Sequence, residues 1–338
     1  MRAHLIDKVI LPDEPTDPRP RPGGGWLVTS RDDPRQVTVL DSGLRTVRRL
    51  RMPDVPGITG RAVDPTGRRV AVSRAECVQV NDGGSADAVD WRVEHGSWDR
   101  FPVGAGACVF SLDGTELWAT VRPREDLYDD DDDEDDGGGF GGGDECWVLD
   151  AVTGERLGRT ELISELSFSS LLPHPDGRHM GVLVGEGQDG SFGHWVRREG
   201  RRIVRTPTDL LGLRDRSLAA IAPDGRHYLN QSWTTLSSHA FPTAELVAER
   251  PIDGILPEGP AWRYGFAYYD ASTVLATFHE DGPAVSTTLL RSPSLEPLGE
   301  IAYPDGAPYA GVASGGDGSW VTVRGNEPAR WSFEPAAT

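Results

Sequence analysis

GRAVDPTGRRVAVS, residues 60–73, is an apolar run, a tight polar turn and a second apolar run. The phrase returns as CVFSLDGTELWATV (108–121), LLPHPDGRHMGVLV (171–184) and AAIAPDGRHYLNQS (219–232). Weaker copies are AYYDASTVLATF (267–278) and GVASGGDGSWVTV (311–323). Aligned on the last turn residue, the anchors are Gly67, Gly114, Gly177, Gly225, Ser272 and Gly318, with steps of 47, 63, 48, 47 and 46 residues. A period in this range marks a repeat architecture whose units bury their apolar faces against one another. The apolar runs are short and end at Gly, Pro, Asp or Asn, and helical periodicity is nearly absent, which makes the chain all-β.

Each copy divides into four strands. In the copy at Gly177 they are SFSSLL (a), HMGVLV (b), SFGHWVR (c) and RRIVRT (d). CWVLDAVTGERLGRTEL (146–162) is a c strand, a VTG turn and a d strand. The PDGR turn, the b strand and W-x-x-D-x-x-TG together resemble degenerate WD40-like and YVTN-like β-propeller repeats, from about residue 24 to the C-terminus. The Gly-His and Trp-Asp dipeptides of a full WD40 signature are missing. The resemblance implies a seven-bladed propeller of four-stranded antiparallel blades, forming one domain over residues 1–338. GGGWLVTSR (23–31) supplies the seventh unit. The last copy has b (SWVTVRG) and c (ARWSFEP) but no d strand. HLIDKVIL (4–11) is expected to fill that place and close the ring, since an unclosed sheet exposes edges. The alternative is that residues 3–11 begin the first blade, with 13–22 as a long turn.

The step of 63 locates an insertion. Its excess of 16 residues matches 129–144, DDDDDEDDGGGFGGGD, between a b strand (LWATV) and a c strand (CWVLD). Asp129, Asp130, Asp131, Asp132, Asp133, Glu134, Asp135 and Asp136 are eight consecutive acids, and a Gly-rich run follows them. Such a segment cannot pack a core and is expected to be a disordered loop. Residues 125–145 hold twelve acids and no base, and without them the net charge of −19 becomes −7. A flexible polyanion attracts a basic partner over a Debye length.

The acidic balance argues against nucleic acid and anionic membranes as partners. Lys8 is the only lysine beside 33 arginines, the usage of a GC-rich, bacterial-type genome. Cys77, Cys108 and Cys146 lack CxxC spacing and read as buried reduced thiols, so a cytoplasmic location is expected. The N-terminus has no signal-peptide core, and no apolar stretch is long enough to span a bilayer.

Several motifs lose their chemistry in context. GEGQDG (185–190) spells GxGxxG but precedes a strand, not the helix a pyrophosphate needs. The EF-hand-like start at Asp132 reaches Gly143 where a bidentate Glu is required. The histidines form no HxH or HxxxH pair, so neither metal nor cofactor is expected. The a strands lack the carboxylates that a channel metal would need, which disfavours a lactonase-like, metal-dependent hydrolase, and no catalytic residue is assigned.

Aromatic and arginine residues gather in the d–a connections: Trp98, Arg100 and Phe101; Trp262, Arg263 and Tyr264; Tyr303 and Tyr309. These are the residue types that dominate interfaces. In this topology d–a and b–c connections share one end of a blade, so the acidic loop lies at the same end. The expectation is a non-catalytic scaffold binding a protein or peptide there, with a structural subunit of a larger assembly as a further alternative.

Overall fold

The computed structural model describes the chain except for residues 16–17, 22–23, 54–57, 86–87, 98–105, 123–143, 163–167, 186–190, 207–215, 256–262, 280–284, 305–309 and 334–338. At 192, 263–264, 278–279, 285 and 310–311 the backbone alone is described.

In chain order the strands are β1 (Ala3–Lys8), β2 (Arg19–Pro20), β3 (Trp26–Thr29), β4 (Gln36–Leu40), β5 (Thr46–Arg51), β6 (Ile58–Val63), β7 (Arg69–Arg74), β8 (Cys77–Asp82) and β9 (Val89–Glu94). Next are β10 (Cys108–Phe110), β11 (Glu116–Val121), β12 (Glu145–Asp150), β13 (Arg156–Glu161), β14 (Phe168–Pro173), β15 (His179–Gly185), β16 (Ser191–Glu199) and β17 (Arg202–Arg205). The remainder are β18 (Ser217–Ile221), β19 (His227–Gln231), β20 (Thr235–Ala240), β21 (Leu246–Pro251), β22 (Arg263–Asp270), β23 (Thr273–His279), β24 (Val285–Arg291), β25 (Glu296–Glu300), β26 (Ala310–Ser314), β27 (Trp320–Arg324) and β28 (Glu327–Phe333).

The repeated turn explains why these runs become hairpins. Gly67, Gly114, Gly177 and Gly225 each donate their N–H to the carbonyl three residues back, at 2.8–3.0 Å. All four have φ between 69° and 72°, a left-handed conformation that costs an L side chain about 1–2 kcal/mol per residue. The carboxylate inside or before the turn caps it, as when Asp113 accepts from the Thr115 N–H at 3.0 Å.

Two compact units result, Met1–Arg51 with Arg216–Thr338, and Met52–Asp215. The first contains antiparallel four-stranded sheets β2–β5, β18–β21, β22–β25 and β1-β28-β27-β26. Here β1 pairs with β28, Ala3 opposite Phe333 and Lys8 opposite Ala329. The N-terminal run thus joins the last sheet, and β2 opens the first one.

The second unit holds the four-stranded sheet β6–β9 and an eight-stranded sheet, β10-β11-β12-β13-β17-β16-β15-β14. Among the described residues there are therefore six sheets, not seven separate blades. The eight-stranded sheet is two four-stranded antiparallel meanders whose outer strands touch through one parallel pair, Arg159 with Arg202.

Within the sheets the middle strands are buried on both faces, as in β7 and β8, while the fourth strand is largely exposed, as in β9. That explains why b and c read as continuous apolar runs and d does not. Side chains from neighbouring meanders interdigitate, within the eight-stranded sheet and between separate sheets. Trp118, Cys146 and Val148 of β11–β12 pack with Met180, Val182 and Val196 of β15–β16. Leu229 and Leu236 pack with Val274, Ala276 and Leu290. Each of the valine, leucine and methionine side chains contributes about 1.5–3 kcal/mol on burial. The three cysteines are free and buried.

Candidate functional site

Most of the residues chosen from sequence lie outside the described residues: Trp98, Arg100, Phe101, Trp262, Tyr309 and the acidic run Asp129–Asp136. The backbone of Arg263 and Tyr264 opens β22, opposite His279 and Phe278 at the end of β23. That is the d–a and b–c end of the sheet. Asp144, expected in the insertion, is instead a buried residue whose carbonyl accepts from the Leu162 N–H at 2.6 Å. Tyr303 packs edge-on against Trp320 and Trp331, and its hydroxyl accepts from Trp320 Nε1 at 3.2 Å. It is a structural wedge.

Sequence reasoning missed Trp233. It occupies the turn between β19 and β20 and is 77% exposed. The turn is tightly held. The Ser232 N–H donates to the Thr235 carbonyl at 2.8 Å, and Ser232 Oγ accepts from the N–H groups of Thr234 (3.2 Å) and Thr235 (2.9 Å). The Thr234 carbonyl accepts from the Ile252 N–H, tying the turn to the end of β21 at 2.8 Å. Trp233 therefore stands at the same end of its sheet as the connection that leads to Trp262.

The opposite end of the β14–β17 meander carries a second constellation. In the turn His174-Pro-Asp-Gly-Arg-His179, the Asp176 carboxylate accepts from the N–H groups of Arg178 (2.8 Å) and His179 (3.0 Å). Asp176 Oδ2 lies 2.6 Å from His179 Nδ1, and Asp176 Oδ1 lies 3.1 Å from His174 Nδ1. His174 Nδ1 accepts from the Asp176 N–H at 3.2 Å. Partial burial alone would raise the pKa of Asp176, but the two N–H donors and the histidines outweigh it and hold the pKa well below the carboxylate range. His174 is buried, with its ring edge-on to Trp195 at 5.4 Å. The tight turn folds residue i+5 back beside residue i, a spacing that the HxH and HxxxH patterns do not cover.

A cleft of about 810 Å³ opens beside this turn, lined by Glu116, Asp176, Arg178, His179, Arg197, Arg198 and Glu199 among others. Arg198 Nε donates to Glu116 at 2.7 Å, and Arg197 Nε donates to Glu199 at 2.8 Å. Glu116 also accepts from Trp118 Nε1 at 3.2 Å, which fixes its carboxylate on the strand.

No protein-family model matches the chain, and no curated protein matches it. Among solved structures it is similar to the crystal structure of the Myceliophteria thermophila Cps50 (Swd1) beta-propeller domain. The match has a TM-score of 0.57 at 11% identity and covers 97% of this chain and 100% of that one. At that identity the likeness establishes the fold, a β-propeller of four-stranded antiparallel blades. The WD40-like resemblance of the repeats holds at that level. No helix among the described residues is long and apolar enough to cross a membrane.

Proposed function

We propose that this propeller is a non-catalytic scaffold that binds a protein or peptide at the d–a and b–c ends of its blades. The observation that carries this reading is Trp233. Its turn needs no indole to form, because Ser232 and Thr235 close it. An exposed, rigidly mounted tryptophan is the kind of anchor that dominates interfaces. By sequence Trp98, Arg100, Phe101, Trp262 and Tyr309 fall in d–a connections and Arg263 and Tyr264 open an a strand, all at the d–a and b–c ends of their blades, and the acidic run 129–136 would select a basic partner. The β-propeller fold is compatible with such a role without dictating it.

The same reading counts the eight-stranded sheet as two blades, which gives the seven units of the sequence repeat in a single closed domain. The β1–β28 pairing supports closure. Three buried free thiols fit a reducing, cytoplasmic setting.

The test is quantitative capture of a partner from the native cell. Trp233→Ala, Trp262→Ala and deletion of 129–143 should each weaken binding by about tenfold or more, in line with hot-spot losses. Unchanged affinity in all three would overturn the assignment.

A further inference from the structure

We propose that the turn from His174 to His179 is a metal site that takes a divalent transition-metal ion, zinc foremost, through His174, Asp176 and His179. One donor atom from each lies within 4.8 Å of the others. Two imidazoles and a carboxylate are the ligand set that suits zinc, and three protein ligands leave a fourth position open. Zinc bonds of about 2.0–2.2 Å at tetrahedral angles put donors roughly 3.3 Å apart. Asp176 Oδ1 lies 3.1 Å from His174 Nδ1 and Asp176 Oδ2 lies 2.6 Å from His179 Nδ1, so the Asp176–His179 contact must open for the carboxylate to share a metal with both rings.

The sibling turns give the internal comparison. The phrase begins with Asp64, Ser111, His174 and Ala222 in successive copies. The copy at Ala222 keeps the aspartate and the last histidine, as Asp224 and His227. There Asp224 caps the turn through the Arg226 N–H at 3.0 Å. Capping explains the aspartate in both turns, and His174 stands where Asp64 and Ser111 cap their own turns, its Nδ1 accepting the Asp176 N–H at 3.2 Å. A metal bound at Nδ1 would replace that hydrogen bond, and Trp195 holds the His174 ring edge-on at 5.4 Å.

Asp176 and His179 line the cleft. Arg197 and Arg198 are paired there with Glu199 and Glu116, so a cation enters a balanced environment. This site is at the a–b end of its meander, the opposite end from the proposed partner surface, and does not depend on that reading.

The test uses untagged, chelator-treated full-length protein, titrated with zinc by calorimetry and with cobalt(II) by visible absorption. One equivalent of zinc should bind, and the cobalt(II) form should show the intense bands of a four-coordinate site. His179→Gln and His174→Asn should each weaken zinc by at least about 100-fold, the upper end of what losing even an outer-shell partner costs. His227→Gln should leave affinity unchanged. Absence of saturable zinc binding overturns the proposal, as does binding that survives both ligand variants with the fold intact by circular dichroism. Should His174→Asn fail to fold, the cobalt(II) spectrum of the unaltered chain decides, and a six-coordinate spectrum refutes the site.

Discussion

Gly154 and Gly200 sit in equivalent c–d turns, between β12 and β13 and between β16 and β17, with φ of +75° and +61°. Replacing either by alanine places an L residue in the left-handed region, about 1–2 kcal/mol unfavourable, partly offset by about 0.4–1 kcal/mol from a less flexible unfolded chain. Gly200→Ala should therefore cost about 0.5–1 kcal/mol, since a Cβ there meets nothing within 4 Å. At Gly154 the Cβ would stand 2.8 Å from two ring carbons of Trp91. Trp91 cannot easily retreat, because it is buried and its Nε1 donates to the Ala151 carbonyl at 3.2 Å. Overpacking of this kind adds about 1–3 kcal/mol, so Gly154→Ala should cost about 1.5–4 kcal/mol. Equilibrium urea unfolding of both variants gives the comparison, read as midpoint shifts at unchanged slope. The clash should also make Gly154→Ala and Trp91→Ala non-additive, the double variant costing less than the sum. Equal costs at the two glycines, or strict additivity with Trp91→Ala, would refute the packing of β9 against the β12–β13 turn.

Burial holds His95 at a pKa of about 4, against an ordinary value near 6.5. The unfolded chain then binds more protons between these values, so this contribution is fully present above pH 6.5 and is lost as pH falls toward 4, about 2–3 kcal/mol by pH 4.5. His95→Gln should flatten the pH 4–7 stability profile by that amount. Burial pushes the Cys108 and Cys146 thiols up to about 12 and also raises Cys77. A thiol-specific chromogenic reagent should titrate none of the three in native protein and all three in denaturant. Trp233→Ala should leave the urea midpoint within about 0.5 kcal/mol of the parent, as for surface positions, while weakening partner capture.

Much of the architecture was readable from residues. VAVS, WATV and MGVLV announce doubly buried strands, and the DPTG and PDGR turns announce the hairpins between them. The missing d strand of the last copy pointed to HLIDKVIL, and β1 does pair with β28. The fusion of two meanders was not readable, because it rests on one backbone pair between exposed arginines, Arg159 and Arg202. The contact of His174 and His179 through Asp176 has no HxH or HxxxH signature, because the two are five apart across a tight turn. Trp233 was missed because QSWTT has no Gly or Pro and continues a strand-like run. The Ser232 side chain, bonding to the backbone two and three residues on, turns the chain there together with the Ser232 N–H bond to the Thr235 carbonyl.

The most direct test of the scaffold reading places a photo-crosslinking residue at each end of one sheet. Trp233→p-benzoylphenylalanine probes the β19–β20 turn, and Thr243→p-benzoylphenylalanine probes the exposed turn between β20 and β21 at the other end. Irradiation in the native cell should join a partner to the chain from position 233 and not from position 243. Crosslinking from 243 alone, or from neither position while a partner still co-purifies, would contradict the account.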